Sequence, residues 1–288
     1  MIDTHCHLVP NIDDGSSSFE TSLKLLRQMV EDGITHAFLT SHYLPGLYQY
    51  DRALYDDRFE ELQSQVQKEG INITLYPGFE VLLNPTSLTD IERFNLTLGN
   101  SHYVLIESDL NGLPKDFYEN IYPLLRNGYR PVLAHAERYV SIMHKPHNAK
   151  ELMEKDIYLQ INAGSLLGKY GEKVRQTAWV LLNNGWVHLL GSDSHANEPN
   201  NLFPQAIKLI KERIDEHTVQ LLTQDFPQMI INDEQIPLFY VYIQSSHHHH
   251  HQCPHHRHCC HYSRLFFFPD PLSLASSQRR QTAYWSLN

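Results

Sequence analysis

Short apolar runs alternate with stretches of helical periodicity seven times in the first 238 residues, and this alternation constrains the fold more than any other feature. The runs are MIDTH, THAFLTS, INITLYPGFE, HYVLIES, RPVLAHA, IYLQINA and WVHLLGSDSH. Strands that alternate with helices are the pattern of parallel βαβ units. Leu23, Leu26, Met29 and Val30 recur at helical spacing behind a cap offered by Ser16 to Ser18 with Glu20. A longer amphipathic helix is expected over about 52–68, stopping at Gly70. Shorter helices are expected near 88–94, 116–126, 148–154 and 172–182, and two closing ones near 202–213 and 216–222. Seven such alternations predict an α/β barrel rather than an open sheet, and 288 residues suffice for one large domain.

Composition breaks near position 239. The remainder holds five consecutive histidines, the stretch HQCPHHRHCCHY, and an ending SQRRQTAYWSLN. Nine of the twenty histidines and three of the four cysteines lie there, with no Cys-x-x-Cys pair at zinc-finger spacing. SSHHHHH resembles an affinity tag, so residues 239–288 are expected to be tag-derived or frame-shifted and to stand outside the barrel of residues 1–238. A natural metal-binding tract is the competing reading. With only Cys6 in the body there is no disulfide framework, and a cytoplasmic location is the expectation. A net charge of -10 argues against general nucleic-acid binding. No apolar run approaches the ~20 residues needed to span a bilayer, so no membrane insertion is expected.

Metal-competent side chains gather where a barrel keeps its active site, at the carboxyl ends of the strands. His5 and His7 end the first run with Asp14 in its loop; His42 ends the second, Glu80 the third, Glu107 the fourth, His135 the fifth, and Asp193 and His195 the seventh. Imidazole and carboxylate together suit zinc, manganese, iron or cobalt. At spacing i, i+2 His5 and His7 face one side of a strand and Cys6 the other. His36, His102 and His188 fall at strand starts or within strands, away from this rim, and are expected to pack or face solvent.

The blocks MIDTHCHLVPNIDDG, TSH, PGFE, AHAERY and GSDSH resemble the motifs of the PHP (polymerase and histidinol phosphatase) superfamily, nearest to its bacterial capsule and exopolysaccharide protein-tyrosine phosphatases. The resemblance covers residues 1 to about 235 and implies a distorted (β/α)7 TIM-like barrel with three divalent ions, manganese above the others. It implies that His5, His7, Glu80 and Asp193 hold one ion, Glu80, Glu107 and His135 a second, and Asp14, His42 and His195 a third, with Glu80 bridging. Two departures stand out: Asn200 occupies the place of a second arginine, and Ser41-His42-Tyr43 replaces Pro-His-His.

The expected reaction is hydrolysis of a phosphomonoester by in-line attack of metal-activated hydroxide. No cysteine has an arginine six positions later, which disfavours a thiolate route. Arg138 is the candidate phosphate clamp, since a guanidinium fork matches two phosphoryl oxygens, with a surface ion pair to Glu137 as the alternative. His42 and Arg138 are the residues on which turnover should depend most. Tyr43, Leu47, Tyr48 and Tyr50 form an aromatic loop that could wall a phenyl ring. The resemblance implies a phosphotyrosine protein as substrate, a bacterial tyrosine kinase of polysaccharide export. A small-molecule phosphatase of the histidinol phosphate kind and a non-catalytic metal-binding scaffold are the alternatives.

Overall fold

The computed structural model describes residues 1–48, 51–113, 116–196 and 202–240. Strands β1 (Ile2–His7), β2 (His36–Tyr43), β3 (Thr74–Leu82), β4 (Tyr103–Glu107), β5 (Arg130–Leu133), β6 (Tyr158–Asn162) and β7 (Leu189–Gly191) alternate with helices, and a short β8 (Ser194–His195) ends the series. The helices are α1 (Phe19–Glu31), α2 (Arg52–Lys68), α3 (Ser87–Phe94), α4 (Phe117–Arg126), α5 (Val140–His144), α6 (His147–Met153), α7 (Ala163–Leu166), α8 (Glu172–Asn183), α9 (Phe203–Arg213), α10 (Glu216–Gln220) and α11 (Phe226–Ile231). No helix among the described residues is long and apolar enough to cross a membrane. Most of the compositionally distinct tail, from residue 241 on, lies outside the described residues.

The strands form one parallel sheet in the order β7-β6-β5-β4-β3-β2-β1-β8, curled into a TIM-like α/β barrel. The seventh run, expected as a single strand, is broken. Asp193 takes a left-handed backbone (φ 50°), a region that suits few side chains, and the run changes partner there. Leu189–Gly191 pairs with β6, while Ser194–His195 pairs with β1. One stretch of chain therefore bridges the sixth strand and the first.

Helix faces follow the apolar spacing. In α2 the buried residues are Tyr55, Phe59, Leu62 and Val66, one stripe against the sheet. The Tyr55 hydroxyl donates to Leu39 O (2.9 Å) and accepts from Gly78 N (3.1 Å), stitching the helix to β2 and β3. Ser18 caps α1, its hydroxyl accepting from Thr21 N at 3.1 Å. Two short helices, α5 and α7, were not expected. The closing helices also run on past residue 222, through a π-helical turn (Leu221–Asp225) into α11. Pro227 would break a regular helix, and here it falls in the first turn of a new one, where a missing N–H costs little.

The face at the amino ends of the strands is crossed by a strap, residues 232–240. Tyr103 at the start of β4 donates its hydroxyl to Glu234 O and accepts from Ile236 N, both at 2.8 Å. Tyr158 at the start of β6 donates to Ile236 O (2.9 Å). His188 is fully buried; its Nδ1 accepts from Leu159 N (3.0 Å) and its Nε2 donates to Leu238 O (3.0 Å). The Tyr240 hydroxyl closes the strap on Val187 O. His102 stands on the same face, 2.6 Å from Asp233.

Candidate active site

Parallel register brings the strand-end residues level. His42 is paired with Glu80 across β2 and β3, and His7 with His195 across β1 and β8. His5 and His7 point to one side, their Nε2 atoms 3.0 Å apart, while Cys6 turns away and donates its thiol to Phe38 O (3.3 Å). The far nitrogens of both rings are already committed. His5 Nδ1 lies 3.2 Å from Gln160 Oε1, and His7 Nδ1 lies 2.9 Å from Asp13 Oδ2.

The Gln160 amide has its orientation set by its surroundings. Its Nε2 donates to Ile161 O (2.6 Å) and Asn162 Oδ1 (2.9 Å), and its Oε1 accepts from His135 N (2.9 Å). The acceptor oxygen therefore faces His5, which must donate from Nδ1. Asp13 likewise accepts from His7 as well as from His42 N (2.8 Å) and Gly15 N (3.0 Å). Neutral His5 and His7 thus turn two Nε2 lone pairs toward each other, an arrangement that requires a positive charge between them.

Carboxylates crowd the same point. Glu80, buried, places Oε2 3.2 Å from His5 Nε2, 3.4 Å from His7 Nε2 and 3.2 Å from His42 Nδ1, and Oε1 2.8 Å from His135 Nε2. Asp193 Oδ1 lies 3.4 Å from His5 and 3.3 Å from His7. Glu107 Oε1 lies 3.0 Å from His42 Nδ1, and Asp14 Oδ1 3.3 Å from His195 Nε2. Burial alone would pull the His5 imidazolium down, but Glu80 and Asp193 outweigh it and push its pKa up to about 9. Glu80 is held well below the usual carboxylate range, because His5 and the His135 contact overcome its burial. The pocket demands cations, and its donor set fits divalent metal.

Among the described residues, three groups have ligand atoms close enough to share an ion: His7, Asp14, His42 and His195; His5, His7 and Asp193; and His42, Glu80 and Glu107. This partition shares His7 and His42 between groups, whereas His135 reaches Glu80 at 2.8 Å and Glu107 at 3.9 Å. A cavity of about 310 Å³ opens over the cluster, floored by Asp14, His42, Glu80, Glu107, His135, Asp193 and His195, and its wall is completed by Leu110, Arg138 and Tyr170. Backbone strain is present here, with His135 (φ 37°) and Asp193 (φ 50°) both left-handed. So is close packing: a Cβ on Gly191 would meet His5 Cβ at 2.6 Å.

Arg138 does not pair with Glu137. That carboxylate turns inward, fully buried, and accepts from Asn162 N (2.9 Å) and the Ser165 hydroxyl. Arg138 instead lies over the Tyr170 ring, its Cζ 4.3 Å from the centroid, with Nη1 3.6 Å from Asp193 Oδ2. Among the described residues of the aromatic loop only Tyr48 reaches the cluster, stacking on His42 at 5.7 Å; Tyr43 packs on Phe94 and Leu47 is exposed. Tyr50 and Asn200 lie outside the described residues.

Asp13, Gln160, Asn162 and Tyr170 escaped the strand-end reading. The first is masked by its neighbour Asp14. Gln160 and Asn162 carry a usable signal, two amides at i, i+2 in an otherwise apolar strand, which mark the face that looks into the site.

The family model for capsular polysaccharide synthesis, CpsB/CapC, matches residues 1–232. Tyrosine-protein phosphatase YwqE of Bacillus subtilis is 30% identical over 234 residues, which span 81% of this chain and 92% of YwqE. Tyrosine-protein phosphatase CpsB of Streptococcus pneumoniae is 27% identical over 243 residues, 82% of this chain and all of CpsB. A solved structure from work on these two, described there as unique metal-dependent tyrosine phosphatases, superposes with a TM-score of 0.77 at 28% identity, covering 82% of this chain and 96% of that one. A phosphotriesterase homology protein from Escherichia coli, at 10% identity and a TM-score of 0.52, shares the fold alone. With a match that runs through nearly the whole described body, this chain belongs to the CpsB/CapC family of capsular polysaccharide synthesis.

Proposed function

We infer that this chain is a metal-dependent tyrosine-protein phosphatase of capsule or exopolysaccharide synthesis. The observation that carries the reading is the meeting of five imidazoles and four carboxylates in one cluster, seven of them lining a cavity that Arg138 overlooks and His5 and His7 buried behind it. The activities of YwqE and CpsB support it.

His5, His7, Asp14, His42, Glu80, Glu107, His135, Asp193 and His195 would hold up to three divalent ions, manganese, iron, cobalt or zinc, with Glu80 central because it touches four of the five imidazoles. Such ions supply a nucleophile at neutral pH and neutralise phosphoryl oxygens. The chain's own residues do the rest. Gln160 and Asp13 fix the tautomers of His5 and His7, so that each presents an Nε2 lone pair inward. Arg138 binds phosphoryl oxygens from the cavity wall. Leu110 offers apolar surface to the phenyl ring. Phenolate, with a pKa near 10, is a fair leaving group, which eases the demand for a general acid. The substrate is a phosphotyrosine protein, and a bacterial tyrosine kinase of polysaccharide export is the partner we favour, in the cytoplasm.

Parallel assays of a phosphotyrosine peptide and histidinol phosphate on the manganese-loaded protein test this reading. The peptide should turn over faster, chelation should abolish turnover, and His42→Ala should lose most of it while Cys6→Ser retains it. Preference for histidinol phosphate would overturn the substrate; turnover of neither with metal bound would leave a regulatory scaffold.

A further inference from the structure

Arg138 sits beside a carboxylate it does not fully engage. Its Nη1 stops 3.6 Å from Asp193 Oδ2, beyond a direct hydrogen bond, and that oxygen already accepts from Asn162 Nδ2 at 2.7 Å. A guanidinium left to itself next to a buried carboxylate would close the gap. What holds it back is the face of Tyr170, 4.3 Å beneath Cζ. Stacked on a ring, a guanidinium keeps its N–H donors in its own plane, available to a ligand at the edge.

The two partners are held to each other by a link the cavity does not reveal. Arg138 ends the turn Ala136–Arg138, and its neighbour Glu137 is sunk into the body, bonded to Asn162 N and to the Ser165 hydroxyl. Ser165 lies in α7, and the turn leaving α7 carries Tyr170 between Gly168 (φ 89°) and Gly171 (φ 96°). Backbone bonds Lys169 N to Gly164 O (3.0 Å) and Gly171 N to Gly168 O (3.0 Å) set that turn. Glu137 therefore fixes the arginine's loop to the segment that presents the ring.

We propose that Tyr170 is a positioning residue: its ring face holds the Arg138 guanidinium off Asp193 and aims it across the cavity at phosphoryl oxygens. The proposal rests on the reading of Arg138 as the phosphate clamp. The ring face does the holding, so the hydroxyl is dispensable.

The test is calorimetric binding of inorganic phosphate to the full-length, manganese-loaded protein, with KM and kcat on a phosphotyrosine peptide measured beside it. Arg138→Ala should weaken phosphate binding by about tenfold. Tyr170→Leu should weaken it about fourfold and raise KM by a similar factor, Tyr170→Phe should match the parent, and Tyr170→Leu should add nothing in the Arg138→Ala background. Tyr170→Met carries the same expectation and replaces the leucine variant if that one loses its fold. If Arg138→Ala leaves phosphate affinity unchanged, the clamp reading itself fails. If Arg138→Ala weakens binding but neither Tyr170→Leu nor Tyr170→Met does, or if their effect is undiminished without Arg138, the positioning role is overturned. Equal losses in Tyr170→Phe and Tyr170→Leu would overturn it as well, by assigning the effect to the hydroxyl.

Discussion

Adjacent aspartates divide their work in this site. Asp14 presents an oxygen to His42 and His195 at the cavity edge, while Asp13 is nearly buried and faces the back of His7. The carboxyl of Asp13 is pulled down to about 2, since the His7 imidazole outweighs the effect of burial. An ionised acceptor behind a ligating imidazole raises its basicity and fixes its orientation. Asp13→Asn keeps the shape and removes the charge, so manganese affinity should fall by about 10- to 100-fold, read as bound metal after dialysis; unchanged occupancy would refute the role. The strand-end rule gathers nine residues that do stand together, because parallel register puts equivalent positions at one height. It is blind to Asp13 and Tyr170, which reach the site from loops whose path no periodicity encodes.

Among elements, α2 is bound to the sheet by more than its apolar stripe. Tyr55 is fully buried, and its hydroxyl serves a carbonyl of β2 and an amide of β3 at once. Tyr55→Phe leaves both groups without that partner inside the protein, and should destabilise it by about 1–3 kcal/mol in urea unfolding, with little effect on KM. A loss within error would mean that the two groups find other partners. The strands and α2 were legible because each buries one face, and burial writes its period into the sequence. The break at Asp193 was not, since a left-handed aspartate looks the same in sequence as an extended one. Nor was α11, hidden behind Pro227, which reads as a terminator unless the preceding turn is known to be π-helical.

At the scale of the molecule, the strap across the amino ends of the strands depends on a neutral His188. Its Nδ1 must accept from Leu159 N, and burial lowers its pKa from 6.5 to about 4. The unfolded chain therefore takes up this proton first as pH falls. The contribution is fully present above pH 6.5, declines between 6.5 and about 4, and is flat below; over that window it amounts to about 3 kcal/mol. His188→Gln should show a shallower decline of unfolding free energy between pH 7 and 4.5 than the parent, and parallel curves would remove His188 from the account. All other side chains are common to both proteins, so the difference isolates the strap.

The broken last strand also orders events during synthesis. Ser192 and His5 are hydrogen-bonded although 187 positions apart, and β8 pairs with β1. His5 and His7 leave the ribosome long before Asp193 and His195, which come close to the end of the barrel. Contacts of such long range form late. A growing chain thus carries two histidines with no complete cavity around them, and a cluster able to hold metal arises only once nearly all of the barrel has been made.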